Sequence, residues 1–407
     1  MADCSSPTAN ILHDLIFFVT ESSSSSGEEF EVEEFVDYFK DVNSVEWYLV
    51  KWAGYPSSEN TWEPKKNLRH SKRLMKRYHK SLCKAQVTRA EIFKQKKQLE
   101  KSLKKLSQKK KSDKWKESES KALTDVLKSL VKKELKNWEH ELNAKCQNEA
   151  PIVVVNEVDL EGPPNDFVYI SDYIPGVGVE IPSDPLVGCE CTNCSSDSEL
   201  GCCPQNGGVK FAYNQHKLVK VKPGTPIYEC NKRCKCGIQC PNRVVQLGRR
   251  YSLAVFRTNN GRGWGVRTLV NIKKKSFVVE YVGEVITSEE AEHRGKIYDA
   301  NGRTYLFDLD YNDDDCPFTV DAGYYGNISH FVNHSCDPNL VVYGVWVNCL
   351  DPRLPRIALF ACRDIKAGEE LTFDYQMTGS VNEAGANELA QVECRCGSEN
   401  CRGFLFD

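Results

Sequence analysis

Nine of the chain's 19 cysteines fall between positions 189 and 240, so what those thiols bind decides how that stretch folds. Five form C-x-C-x2-C-x7-C-C, as Cys189, Cys191, Cys194, Cys202 and Cys203, and four form C-x3-C-x-C-x3-C, as Cys230, Cys234, Cys236 and Cys240. Disulfides or free core thiols are the alternatives to metal, and the compartment weighs against both. The apolar run ILHDLIFFV at 11–19 has no basic segment before it, no small-residue cleavage site after it, and Asp14 inside it. It does not read as a signal peptide, and no run approaches the roughly 18 apolar residues of a membrane span. In a reducing compartment, clustered thiols favour metal. Tetrahedral zinc takes four thiolates. Two separate sites leave one cysteine over, whereas three zincs close on nine thiolates if three of them bridge. A trinuclear structural cluster with no open position is therefore expected.

A second metal site follows from the stretch FVNHSCDPN at 331–339. On its own it reads as a nucleophile site, half of a metal site, or a polar turn. Near the C-terminus Cys394, Cys396 and Cys401 form C-x-C-x4-C, one ligand short of a closed tetrahedron. Cys336 is the natural fourth, which brings the expectation to about four zincs per chain. Cys4, Cys83, Cys146, Cys316, Cys349 and Cys362 read as core or surface residues.

At 407 residues the chain is long enough for two or three domains. Residues 1–27 are Ser-rich and acidic and read as a disordered tail. In 28–84, FEVEEFVDYF, VEWYLVKW and TWEP read as strands, with a turn at GYPSSEN and a helix from Leu68, making a small α+β module. Residues 85–150 read as a charged helical linker. Leu123, Val126, Leu127, Leu130, Val131, Leu135, Trp138 and Leu142 recur there at helical spacing, predicting an amphipathic helix over 120–146. The net charge is -3, but 21 Lys/Arg stand against 3 Asp/Glu from Lys65 to Lys116. Such a segment reads either as a solvated spacer or as a contact for DNA or RNA. The boundaries beyond it are a flank at 151–186, the cysteine cluster at 187–248, a β-rich region at 249–376, a polar linker at 377–390 and the last cysteines at 391–407.

GRGWGVRT (261–268), EYVGEVI (280–286), YLFDLD (305–310), YYGNISHFVNHSCDPN (324–339) and GEELTFDY (368–375) occur in order. Together they resemble the SET domain of protein lysine methyltransferases. The nine-cysteine block is similar to the pre-SET module, the last three cysteines to the post-SET module, and YLVKWAGYPSSENTWEP to a chromodomain. This combination resembles the suppressor-of-variegation class of histone H3 lysine 9 methyltransferases. It implies a multidomain chain with a chromodomain, a basic helical linker and a β-rich SET fold between zinc-cysteine modules.

The resemblance also implies roles. S-adenosylmethionine would be held by Arg262, Gly263, Trp264, Tyr305, Asn333 and His334. Tyr375 would be the catalytic tyrosine, with Tyr281, Phe307 and Phe373 lining a lysine channel. A cage for methyl-lysine falls at Phe30, Trp52, Tyr55 and Glu59, because aromatic faces attract a weakly hydrated cation, and the peptide would add as a strand beside FEVEE. Trp47 and Trp62 read as structural. Family members often carry Arg at the position of His330.

The implied partners are the histone H3 tail and nucleosomes, methylated H3, and other heterochromatin proteins, in nuclear heterochromatin. No GxGxxG follows a strand and there is no P-loop, so nucleotide-dependent chemistry is not indicated. Two rival readings are a chromatin reader with an inactive SET domain, against which Tyr375, Asn333 and His334 argue, and a SET enzyme for a non-histone protein.

Overall fold

The computed structural model describes residues 31–40, 46–55, 60–107, 113–146, 149–192, 194, 202–300, 305–310, 317–375 and 393–405. The acidic tail and the 377–390 linker lie outside the described residues, as do Phe30 and Glu59. The chain divides into two units, Met1–Asn137 with Leu160–Gly162, and Trp138–Asp159 with Pro163–Asp407.

In the first unit, β1 (Val32–Lys40), β2 (Glu46–Trp52) and β3 (Thr61–Pro64) form an antiparallel sheet in the order β1-β2-β3. The alternation seen in the sequence sets its inner face. Phe35, Tyr48 and Val50 are buried with Leu68 and with Met75 of α1 (Lys72–Ser107). Phe35 and Tyr48 rings pack 5.0 Å apart, and the Tyr48 hydroxyl lies 2.7 Å from His79 Nε2. Burying each such side chain contributes about 1.5–3 kcal/mol, which ties the sheet to the helix start.

The helix predicted at 120–146 runs as α2, Asp113–Lys145. Leu127, Val131, Leu135, Trp138 and Leu142 are buried on one stripe, while Val126 points outward at 49% exposure. The helix crosses the unit boundary, so Trp138 belongs to the second unit.

The second unit is built from small sheets rather than one large one. β4 (Ile152–Val155) pairs in parallel with β5 (Leu253–Arg257), and β5 pairs antiparallel with β6 (Trp264–Thr268). β7 (Phe277–Tyr281) pairs antiparallel with β13 (Arg356–Ala361), which pairs with β12 (Leu340–Trp346). β8 (Glu284–Thr287) lies beside β10 (Phe318–Asp321), which also pairs with β9 (Leu306–Asp308). The helix α3 (Ser288–Ala300) follows β8 and is pinned by Arg294, which binds Glu284 at 2.6 Å and Asp321 at 2.7 Å.

One pairing positions the site. β11 (Asn333–His334) runs parallel to β14 (Thr372–Phe373), with Asn333 opposite Thr372 and His334 opposite Phe373. Parallel neighbours cannot be joined by a tight turn, and the β12–β13 hairpin fills the intervening sequence. Asn339 fastens the two segments. Its Oδ1 accepts from Thr372 N at 2.9 Å, and its Nδ2 donates to Glu370 O at 2.7 Å.

Candidate active site

The parallel pairing brings FVNHSCDPN and TFDY to one cleft. It is lined by Tyr281, Tyr305, Leu306, Phe307, Ser329, His330, Val332, Phe373 and Tyr375. Tyr281, Phe307 and Phe373 form a triangle of rings, with centroids 5.6, 6.2 and 6.3 Å apart. Tyr375 adjoins Phe373 at 4.8 Å. The three side chains expected to line a channel thus meet the tyrosine expected to be catalytic, although the four come from three separate motifs.

Both phenols are committed as donors. Tyr281 Oη donates to Tyr305 O at 2.9 Å, and Tyr375 Oη donates to Val332 O at 2.8 Å. Burial raises both phenol pKa values, so both stay protonated. Their remaining oxygen lone pairs are acceptors facing a mostly apolar cleft.

Next to the cleft, Arg262, Asn333 and Glu370 form a polar floor. Arg262 binds Glu370 at 2.6 Å and donates to His334 O at 3.3 Å. Asn333 Nδ2 donates to Glu370 Oε1 at 3.0 Å and to Trp264 O at 3.1 Å. Arg262 Nε and the Ser329 hydroxyl are buried with no hydrogen-bond partner among the described residues. A buried guanidinium with a spare donor beside a carboxylate suits the zwitterionic amino-acid end of S-adenosylmethionine. Gly263 takes φ +82°, where an L side chain is strained. Tyr305, expected with this group, lines the cleft and stacks on His330, 4.4 Å away at 9°.

His334 joins the cleft to the second metal centre. Its Nδ1 accepts the Tyr375 backbone amide at 3.1 Å, and its Nε2 is 3.4 Å from Cys336 Sγ. An amide can only donate, so Nδ1 is unprotonated and the ring proton sits on Nε2, facing the sulfur. Burial holds the imidazole pKa below its ordinary value, so the ring is neutral.

The cysteines gather into four groups of four, each with all Sγ atoms within 4.8 Å. Tetrahedral zinc with 2.3 Å bonds separates its thiolates by about 3.8 Å. Cys189–Cys194 is 3.7 Å, Cys194–Cys230 3.6 Å, Cys189–Cys230 3.9 Å, Cys230–Cys240 3.8 Å and Cys336–Cys394 3.8 Å. These are separations for a shared metal, far beyond the 2.05 Å of a disulfide. Three groups overlap: Cys189 with Cys203, Cys230 and Cys234; Cys189 with Cys194, Cys230 and Cys236; and Cys189 with Cys191, Cys194 and Cys202. Cys189 is common to all three, which isolated mononuclear sites do not allow. Donors point at the sulfurs: Asn231 N reaches Cys234 Sγ at 3.2 Å, and the buried Arg243 reaches Cys236 Sγ at 3.6 Å. Cys336, Cys394, Cys396 and Cys401 form the fourth group. Cys240, one of the nine expected ligands, joins none of these groups, although its Sγ lies 3.8 Å from that of Cys230. Cys349 and Cys362 join none either, and Cys146 donates instead to the Tyr169 hydroxyl at 2.8 Å.

In the first unit, Trp52 ends β2 half-buried, its indole N–H donating to Thr61 Oγ1 at 3.0 Å. Tyr55 is 45% exposed, and its amide donates to Trp52 O at 3.3 Å.

Two contributors were not singled out from sequence. Glu370 lies inside GEELTFDY, with no local signal that it pairs with Arg262. Trp138 looked like a core residue of an amphipathic helix. Its ring meets Trp264 at 5.7 Å and Phe331 at 5.7 Å, behind the floor.

Comparison with known proteins identifies the domains that carry these residues. Family models for the Chromo (chromatin organisation modifier) domain, the Pre-SET motif and the SET domain match residues 30–81, 144–243 and 263–376. Among solved structures, KRYPTONITE in complex with mCHH DNA, H3(1-15) peptide and SAH superposes with TM-score 0.55 at 33% identity, over 64% of this chain and 52% of that one. This chain thus spans about half the length of that protein. The methyltransferase domain of human SETMAR gives TM-score 0.54 at 30% identity, over 65% of this chain and 98% of that one. "Histone-lysine N-methyltransferase SUV39H2" of Xenopus tropicalis is 51% identical over 389 residues, which cover 92% of this chain and 89% of the relative. SUV39H1 of Xenopus laevis is 51% identical over 394 residues, 93% and 90% of the two chains. With about nine tenths of each relative covered and the three domains in the same chain, this protein belongs to the SUV39H histone-lysine N-methyltransferases.

Proposed function

We propose that the chain transfers methyl groups from S-adenosylmethionine to lysine 9 of histone H3, to the di- and trimethyl states, in nuclear heterochromatin. The observation that carries this reading is the ring triangle of Tyr281, Phe307 and Phe373 closed by Tyr375. Arg262, Gly263, Trp264, Tyr305, Asn333 and His334 would hold the donor, with Glu370 completing the floor. When bound, S-adenosylmethionine supplies an electrophilic methyl on a sulfonium.

The chain's own task is to present a neutral amine. Lysine has a reference pKa of about 10.4, so only about a thousandth is neutral near pH 7.4. An apolar aromatic channel disfavours the ammonium, and a depression of three units corresponds to about 4 kcal/mol. Tyr281 and Tyr375 spend their hydroxyl protons on backbone carbonyls. Their lone pairs therefore accept N–H bonds from the amine and aim its own lone pair along the channel.

Phe373 sets how often this is repeated. It is 4% exposed and has no polar atom to hold a methylated amine in one orientation. Phe373→Tyr adds a hydroxyl that accepts an N–H bond or holds a water, restraining rotation after each transfer. On an H3 tail peptide followed by mass spectrometry, the variant should stop mainly at mono- or dimethyl product. Its trimethylation rate should fall at least tenfold, about 1.4 kcal/mol, with the first transfer within about threefold of wild type. A variant that trimethylates at the wild-type rate contradicts this reading of the pocket.

The first unit would read the product. Trp52 and Tyr55, with Phe30 and Glu59, would form the cage for trimethyl-lysine. A desolvated cation–π contact contributes about 2 kcal/mol. Trp52→Ala should therefore weaken trimethyl-lysine peptide binding at least thirtyfold by calorimetry while peptide methylation is unchanged. Equal binding by wild type and variant would remove Trp52 from the cage.

The basic run from Lys65 to Lys116, much of it on α1, would contact DNA or RNA without sequence preference. Its affinity should fall steeply with salt as counterions are released. An affinity flat between low and physiological salt would return the segment to a solvated spacer.

A further inference from the structure

The catalytic unit carries a second basic face that the proposed site does not use. Three loops build it. Residues 214–218 form a tight turn, with Lys217 N donating to Asn214 O at 2.9 Å, and Lys220 and Lys222 follow it. The turn at Lys273–Ser276 is joined to it by Val219 N donating to Lys275 O at 2.9 Å. Arg250 approaches from the segment before β5.

Lys220, Lys222, Arg250, Lys273, Lys274 and Lys275 are all exposed, and none forms an ion pair among the described residues. Of the neighbouring acids, Glu369 binds Arg363 at 2.6 Å and Glu149 holds the buried Arg249, so both are occupied elsewhere. Asp364 sits at the turn, accepting the backbone amide of Lys274 at 2.7 Å, and forms no ion pair with its lysines among the described residues. Lys220 Nζ lies 5.7 Å over Phe211, a ring face that attracts the ammonium but brings no net negative charge to cancel it. Burial, and after it the repulsion from Arg250, lowers the Lys217 pKa. Lys217 (φ 61°) and Lys275 (φ 73°) are the two non-glycine residues of positive φ among those described. Both turns hold a lysine in a conformation that L residues avoid. Lys217 and Arg250 repel one another, and the exposed lysines on the adjoining loops add positive charge that an anion would offset.

We infer that the face formed by Lys217, Lys220, Lys222, Arg250 and Lys273–Lys275 docks on the phosphate backbone of the duplex DNA of the substrate nucleosome. This rests on the reading of the chain as a histone methyltransferase. Flexible ammonium groups act as point charges toward phosphate. A duplex presents one charge per about 1.7 Å of axis, so it engages a diffuse array without close fit. Among the described residues of these loops His216 is the one exposed ring, too few to stack successive bases, which argues against a single strand. The face is also within reach of the reaction. β7 leads from Lys275 directly to Tyr281, about 20 Å at 3.3 Å per residue.

The test uses the full chain with its basic helix intact, comparing mononucleosomes and H3 tail peptide as substrates. Lys273→Gln/Lys274→Gln/Lys275→Gln should raise KM for nucleosomes about tenfold at physiological salt, leaving kcat and all peptide kinetics within twofold. The slope of log KM against log salt should become shallower by about 3, as three phosphate contacts are lost. Lys220→Gln/Lys222→Gln should give a smaller rise and a slope change of about 2. Unchanged nucleosome kinetics in both variants would overturn the proposal. So would an equal loss on peptide, which marks a structural role, or a raised KM with unchanged salt slope, which marks an acidic histone surface. Loss confined to single-stranded RNA binding would overturn it as well. A wild-type chain inactive on both substrates would instead overturn the methyltransferase reading.

Discussion

Stripping the metal with a strong chelator is expected to release about four zincs per chain and to unfold the segment from Cys189 to Cys240. Closed structural zinc sites contribute apparent binding free energies of about 10–16 kcal/mol each, comparable to the whole stability of a domain. The cysteine cluster has little else to hold it. Its core is the cysteines themselves, packed with Phe211. Nine thiolates around three dications carry a net charge of about −3. Without metal, thiolates this close protonate or repel, and the backbone turns that deliver them lose their anchor. Arg243 donates to Cys230 O at 2.8 Å and to Asn231 O at 2.9 Å, so the disruption extends to the loop that leads toward β5. The measurements are elemental analysis of active protein and circular dichroism during chelation. Two zincs or fewer in active protein would remove the trinuclear assignment.

His334→Leu should lose every methylation step, at least a hundredfold in kcat/KM on H3 peptide. The imidazole serves two neighbours at once, the Tyr375 amide and the Cys336 sulfur. Leucine leaves that amide donor without an acceptor, at a cost of about 1–3 kcal/mol, and removes the N–H facing the sulfur. It also takes a polar group from the donor floor beside Asn333 and Arg262. The loss differs in kind from that in Phe373→Tyr, which acts on later transfers and spares the first. A His334→Leu enzyme that completes the first transfer at near the wild-type rate would remove His334 from the donor site.

Most of the local structure was legible because it is written in periodicity and spacing. The alternation in FEVEEFVDYF and VEWYLVKW gave β1 and β2, and the cysteine count alone led to overlapping zinc sites. The ordered SET motifs carried the cleft residues. What could not be read was adjacency produced by threading. Nothing local places Asn333 opposite Thr372, because a parallel pair across some forty residues depends on where the β12–β13 hairpin goes. Glu370 was hidden for the same reason, since its partners Arg262 and Asn333 come from two distant motifs. Trp138 was assigned to a helix stripe, and periodicity does not say that one residue of the stripe backs Trp264. Nor does anything local put Lys273–Lys275 beside the 214–218 turn, which the hydrogen bond from Val219 N to Lys275 O joins to them.

The central claim is tested most directly by incubating the chain with isotopically labelled S-adenosylmethionine and unmodified nucleosomes, then mapping the label by mass spectrometry. The account predicts label on lysine 9 of H3, accumulating as di- and trimethyl forms and absent when that lysine is replaced by arginine. Label on another lysine, an end point at monomethyl, or no transfer to H3 would contradict it.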